Sequence, residues 1–214
     1  VAIPLLALLL LAFPWMLTFA TGARAQTWFD ALVASVDGEP ILASDVTLDD
    51  VLFGQGRTFA TMDPAERDQV INRLIRRRLL LGEAERFGVA RPTAAAVEAE
   101  VARVREHLGP KAEGIPPVAL EARVREKLRA DAFVDARIRA FVLIRDAQVG
   151  AAVAKRLQAP DAPDVRDPKA REALEREVRR ELVRRETDQR LERYIKRLEE
   201  RATIRRYPVP DPDF

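Results

Sequence analysis

The chemistry open to this chain is bounded first by its reactive side chains. It has no cysteine and one histidine, His107. Disulfides, thiolate metal sites and cysteine nucleophiles are therefore excluded. With a single imidazole and no nucleophile paired with it by spacing, neither a histidine-centred triad nor a multi-histidine metal site is expected. His107 falls near the end of a helical pattern, where a solvated imidazole is favoured by the helix dipole. Paired carboxylates could in principle divide acid and base roles. The pairs at hand, Glu98 with Glu100 and Glu199 with Glu200, lie in charge-rich helical runs and read as solvated faces. No glycine-rich phosphate loop occurs. The sequence thus predicts no catalytic residue, no cofactor and no metal.

Two further groups could bind rather than react. Arg73, Arg76, Arg77 and Arg78 form the sharpest charge cluster. One reading pairs them with acids on the last helix as a solvated face. The other gives them to acidic lipid headgroups or unfolded chains, through long-range attraction. Phe133 and Phe141 occupy apolar positions of a long helical pattern. They read as core, or, for one of them, as a contact inside a groove for bound apolar segments.

The elements that must position these residues follow from composition. The 214 residues are 48% hydrophobic and 33% charged but only 6% aromatic. Charge is above the roughly 25% of average chains. A core built from Leu, Val, Ile and Ala, amid Glu and Arg, favours helix packed on helix. The 36 Lys and Arg nearly balance 34 Asp and Glu, for a net charge of +2. Such a balance argues against a dedicated nucleic-acid binder.

Residues 1–20 are apolar except for Pro4, Pro14 and Thr18, and Ala23-x-Ala25 follows. Small residues at those two positions fit the narrow cleft of a signal peptidase, so residues 1–25 read as a signal peptide. The run is also long enough for an uncleaved membrane anchor. Either way the rest is expected to be exported, to the periplasm.

Ala31 to Ile41 reads as a β-hairpin around Asp37-Gly38, a pair that accepts positive φ at both turn positions. Pro40 marks an edge strand. A helix capped by Ser44 runs to about Phe53 and stops at Gly54 and Gly56. Asp63-Pro64-x-Glu66 opens a second helix with a capping box. Its stripe of Val70, Ile71, Leu74, Ile75, Leu79 and Ala84 closes at Phe87-Gly88. Pro92-Thr93 opens a third helix, ended by Gly109-Pro110. A fourth runs from about Val118 to Leu143, and a shorter helix covers Ala147 to Leu157. Pro160 and Pro163 mark residues 158–167 as a linker. Asp167-Pro168 begins the last helix, 168–201, whose narrow apolar stripe predicts packing against other helices. Thr203 to Arg205 is a candidate third strand, and residues 207–214 read as a disordered tail. The fold class expected is mainly α, with the hairpin and C-terminal strand forming a small sheet and the last helix folding back on the N-terminal helices.

In this order the pieces resemble the N-terminal domain of the SurA-type periplasmic chaperones. The carriers are Val33-Ala-Ser-Val-Asp-Gly-Glu-Pro-Ile41, Leu74 to Val89, Val124 to Phe141, and the last helix with Thr203-Ile204. Ala96 and Arg145 depart from it, standing where that family has an acidic capping partner and a Ser or Thr helix start. The resemblance implies a helical chaperone-like domain over residues 26–206 that holds unfolded envelope or outer-membrane proteins. It also implies a parvulin prolyl isomerase between core and last helix, but the segment at 158–167 is far shorter than the roughly ninety residues such a domain needs. The expectation is a binding protein without isomerase activity. A homodimer or structural adaptor built on the last helix is the alternative, and contact with a membrane surface the remaining partner.

Overall fold

The computed structural model describes residues 30–158 and 167–208. The leader, most of the linker and the end of the tail lie outside the described residues. A hairpin opens the fold: β1 (Leu32–Val36) pairs antiparallel with β2 (Glu39–Leu42). Asp37 and Gly38 carry φ of 51° and 90°, as the two-residue turn requires. A register shift between Leu32 and Ala34 interrupts the alternation of faces, and Val33 and Ala34 are both buried. The closing strand β3 (Ile204–Arg206) lies on the other side of β1, giving the order β2-β1-β3. Asp37 fastens it: the Thr203 N–H donates to Asp37 Oδ1 at 2.7 Å, and the Asp37 N–H donates to Thr203 O at 2.9 Å. Tyr207, expected to begin the disordered tail, instead donates its N–H to Val33 O at 3.0 Å and extends the sheet.

Among the described residues six α-helices accompany this sheet: α1 (Ala43–Phe53), α2 (Pro64–Arg86), α3 (Ala94–Leu108), α4 (Pro117–Arg137), α5 (Asp146–Leu157) and α6 (Pro168–Glu199). The fold class is mainly α with a small three-stranded sheet, as the sequence predicts. Caps explain most starts. Asp63 and Glu66 bond reciprocally across the first turn of α2, at 2.8 and 2.9 Å. Thr93 and Asp167 accept backbone N–H groups of α3 and α6. At Arg145 the missing Ser or Thr is replaced from inside the helix: Gln148 Oε1 accepts the Arg145 N–H at 2.9 Å. Ser44 is not the cap of α1. Asp45 Oδ2 accepts the Leu42 N–H at 3.0 Å, while the Ser44 N–H bonds Asp30.

The fourth helix is shorter than its apolar period predicts. It ends at Arg137, and a 3-10 turn covers Arg139–Phe141. Ile138 breaks the helix with φ −120° and ψ −59° and is buried, while Phe141 is exposed. Packing of one residue into the core has overridden a continuous local pattern.

Helix α2 is the hub. Its stripe from Val70 to Leu79 packs on Val33, Val36 and Ile41 of the sheet and on Leu198 of α6. Its neighbouring face, Leu80 and Ala84, joins Ala130 and Phe133 of α4 and Ile195 of α6. A third cluster joins α1, α3 and α4 through Leu52, Val97, Val101, Leu120 and Val124. The first half of α6 leaves this body. Among the described residues it packs on α5, through Val149, Val153, Leu174 and Val178, as a two-helix arm.

Candidate functional site

An open cleft lies where α2, α4 and the second half of α6 meet. Its volume is about 610 Å³, and Phe53, Leu80, Ala130, Leu191 and Ile195 supply its apolar surface. Leu80 and Ile195 reach it because α2 and α6 each carry a second apolar row beside the one facing the sheet. Charged residues form the rim, and each is matched. Arg76 holds Glu192 of α6 with two bonds, at 2.5 and 3.0 Å. Lys127 lies 2.9 Å from Asp131 and 3.6 Å from Glu100. Burial alone would lower the Lys127 pKa, but Asp131 and Glu100 outweigh it and the net shift is upward. The rim therefore brings little uncompensated charge to a surface whose floor is greasy.

The arginine cluster beside this cleft is spoken for. Only Arg76 pairs with the last helix. Arg73 Nε and Arg77 Nη1 converge instead on Asp49 of α1, at 2.6 and 2.5 Å. Arg78 sits 3.6 Å from both Glu39 and Glu126. Asp49 has no exposed surface, and its neighbour Asp50 is buried as well. Burial pushes the Asp50 pKa up, but the Arg57 N–H and guanidinium pull it further down, so it lies below the ordinary carboxylate value. Gly54 makes room for this carboxylate, since a Cβ there would lie 2.8 Å from Asp50 Cγ. A third bridge joins Arg123 of α4 to Asp45 of α1. These contacts leave Arg73 to Arg78 little freedom to seek lipid headgroups. They weld α1 and α4 to α2.

The other residues singled out above separate cleanly. Phe133 is 0% exposed. Its ring lies between Phe87 and Tyr194, with centroids 6.2 and 5.8 Å away, so it has no surface for a bound segment and is core. Phe141 is 62% exposed and its near neighbour Leu143 is 85% exposed. Arg190 of α6 fixes their turn by donating to Phe141 O at 2.9 Å. His107 is exposed in the last turn of α3, and Glu98, Glu199 and Glu200 are exposed. Glu100 departs from its expected solvated place: it is buried and bridged by Arg103 at 2.8 Å as well as Lys127. Among the described residues no group of three His, Asp or Glu side chains could hold a metal ion. Among the same residues no helix is long and apolar enough to cross a membrane.

Sequence reasoning expected a groove between helices but did not place its residues, and it missed Asp49 and Asp50. The Asp49-Asp50 pair on an otherwise apolar helix face was the available signal, since α1 turns that face inward. Compared with known proteins, the chain matches no protein-family model and no curated sequence.

Proposed function

We propose that this chain is an exported, chaperone-like protein that holds extended segments of unfolded envelope proteins, without prolyl isomerase activity of its own. The observation that carries this reading is the open cleft between the N-terminal core and the last helix, apolar in its floor and charge-balanced at its rim. Such a surface asks for apolar side chains without demanding a particular hydrogen bond, which suits many sequences. Burying one Leu-sized side chain contributes roughly 1.5–3 kcal/mol. Two or three in the cleft give roughly 3–9 kcal/mol before the cost of association and of ordering the bound segment, which leaves a weak hold, of about millimolar strength at best. That strength allows release. Phe141 and Leu143 offer further exposed apolar contacts. The resemblance of the motif order to SurA-type chaperones and the leader ending at Ala25 support the periplasmic setting.

The test is dilution of a denatured outer-membrane protein into buffer containing residues 26–214, with aggregation followed by light scattering. The chain is expected to delay aggregation near equal stoichiometry, and Leu191→Glu, at a half-buried floor position, is expected to abolish the delay with helicity unchanged. No delay by the unsubstituted chain would remove the reading.

The arm favours a second reading, a non-catalytic adaptor that dimerises. A groove of about 810 Å³ runs along α5 and α6, with Ala152, Ala170 and Ala173 allowing close helix approach. Sedimentation showing a concentration-independent monomer would count against it.

A further inference from the structure

A sheet edge exposes backbone donors and acceptors that must find partners or water. In the order β2-β1-β3 both outer strands are edges. The β2 edge is closed. Pro40 has no N–H to offer, and Asp45 Oδ2 takes the Leu42 N–H at 3.0 Å. Strand β3 leaves its edge open. Its ladder to β1 uses alternate residues: the Asp37 N–H donates to Thr203 O at 2.9 Å, Ser35 lies opposite Arg205, and the Tyr207 N–H donates to Val33 O at 3.0 Å. Ile204 and Arg206 fall between these positions, so their N–H and C=O groups point away from β1. Among the described residues none of these four groups has a hydrogen-bond partner. Arg206 is exposed and Ile204 half-buried.

The side chains of β3 decide what fills that edge. Ile204 packs on the core beside Val36 and Leu198, and Arg206 holds Asn72 of α2. Arg205 stands on the opposite face, beside Ser35, Pro40 and Tyr207, over an open space of about 510 Å³. It is exposed and, among the described residues, has no ion pair. A second copy of β3, paired antiparallel about its middle residue, would set Arg205 against Arg205, and like charges opposite one another are destabilising. An acidic residue at that place is favoured by the same rule. Charged side chains keep edges from pairing indiscriminately. Here the guard is positive, and the backbone behind it is left bare.

We propose that β3 is a strand-accepting edge, which docks a short extended segment of another protein as a fourth strand of the sheet. The segment's main chain exchanges hydrogen bonds with Ile204 and Arg206. A strand presents N–H and C=O groups to one side at every second residue, roughly 6.6 Å apart, which is the spacing of these two residues in β3. An acidic side chain lies opposite Arg205 on the open outer face, and an apolar one lies opposite Ile204 on the inner face. Main-chain bonds of this kind supply affinity, and the alternate side chains supply the choice of sequence. With two residues bonding outward, the hold is weak. The edge is separate from the apolar cleft, and docking here does not depend on that cleft holding a client.

Fluorescence anisotropy on residues 26–214 tests it, with a labelled hexapeptide of alternating Val and Glu. Two further peptides carry N-methyl groups on every Val nitrogen or on every Glu nitrogen. One of the two is expected to bind at least tenfold more weakly and the other as the parent does, because only alternate N–H groups face the edge. Arg206→Pro removes an outward N–H and no bond to β1, and is expected to weaken the parent peptide about tenfold. Arg206→Ala, which keeps that N–H, should bind as the unsubstituted chain does. Lys in place of Glu in the peptide should abolish binding, and Arg205→Glu should restore the Lys peptide while rejecting the Glu one. Leu191→Glu, in the cleft floor, should change none of these values. Equal loss or no loss in both methylated peptides overturns the proposal, and so does an Arg206→Pro chain that keeps its helical spectrum and binds undiminished. An Arg205→Glu chain that does not reverse the preference overturns it whether or not Arg206→Pro folds. Failure of the parent peptide to bind overturns it too, and leaves the holding function of the cleft to the aggregation assay. A dimer that Arg206→Pro dissociates assigns the edge to a second copy and overturns the choice of partner. An affinity raised about tenfold by removing residues 209–214 assigns the edge to the chain's own end, with the same result.

Discussion

At the residue scale, Asp49 and Tyr194 carry the clearest consequences. Asp49 is wholly buried and meets two guanidinium groups, one of them, Arg77, nearly buried too. Removing the carboxylate leaves Arg77 in a low-dielectric setting without a carboxylate partner, while the more exposed Arg73 keeps only Asp50, at 3.8 Å. Asp49→Ala is therefore expected to cost about 3 kcal/mol or more, the range found when one member of a buried pair is removed. Glu192→Ala breaks the exposed pair with Arg76 and is expected to cost less than about 1 kcal/mol. Urea denaturation of both variants checks the contrast. Tyr194 is half-buried and donates its hydroxyl to Glu83. Burial, then the hydrogen bond to Glu83 and its negative charge, push the Tyr194 pKa from 10 up to about 12. Because the folded value is raised, this contribution to stability is complete below pH 10 and is lost as pH rises through about 12. Absorbance of tyrosinate, compared with Tyr194→Phe, should show Tyr194 ionising late. Ionisation at its ordinary value would refute the assignment.

At the element scale, the chain divides into helices held on several sides and one pair held on a single side. Helix α2 touches the sheet, α1, α4 and α6, whereas α5 is buried only through Val149 and Val153 against Leu174 and Val178. Local opening follows the number of buried apolar contacts. Amide hydrogen exchange in α5 is expected to be faster than in α2, and Leu174→Ala should speed it further while leaving β1 protected. Equal protection along the chain would show that the arm is not an independent unit. The same difference explains why most element starts were readable and one end was not. Asp63-Pro64-x-Glu66 and Asp37-Gly38 act within four residues, so sequence alone specifies them. The end of α4 depends on Ile138 turning into the core, which no neighbouring residue announces.

At the scale of the whole molecule, α6 joins everything. Its first half forms the arm, its second half walls the cleft, and β3 beyond it closes the sheet beside the hairpin from the other end of the chain. The function proposed for the cleft depends on that return. Composition, the Asp-Gly turn, the capping signals and the apolar periods were enough to establish a mainly helical fold with a small sheet, because each rests on local geometry or a repeated burial pattern. The positions of the sites were not available in the same way. Periodicity put Phe133 and Phe141 in one class, yet one is sealed in the core and the other stands in solvent. The spacing of Arg73 to Arg78 marked a charge cluster but not its partners, because Asp49 and Glu126 lie on other helices. Only tertiary packing decides which carboxylate meets which guanidinium, and which apolar row is left open as a cleft, since both depend on groups far apart in sequence being brought within contact distance.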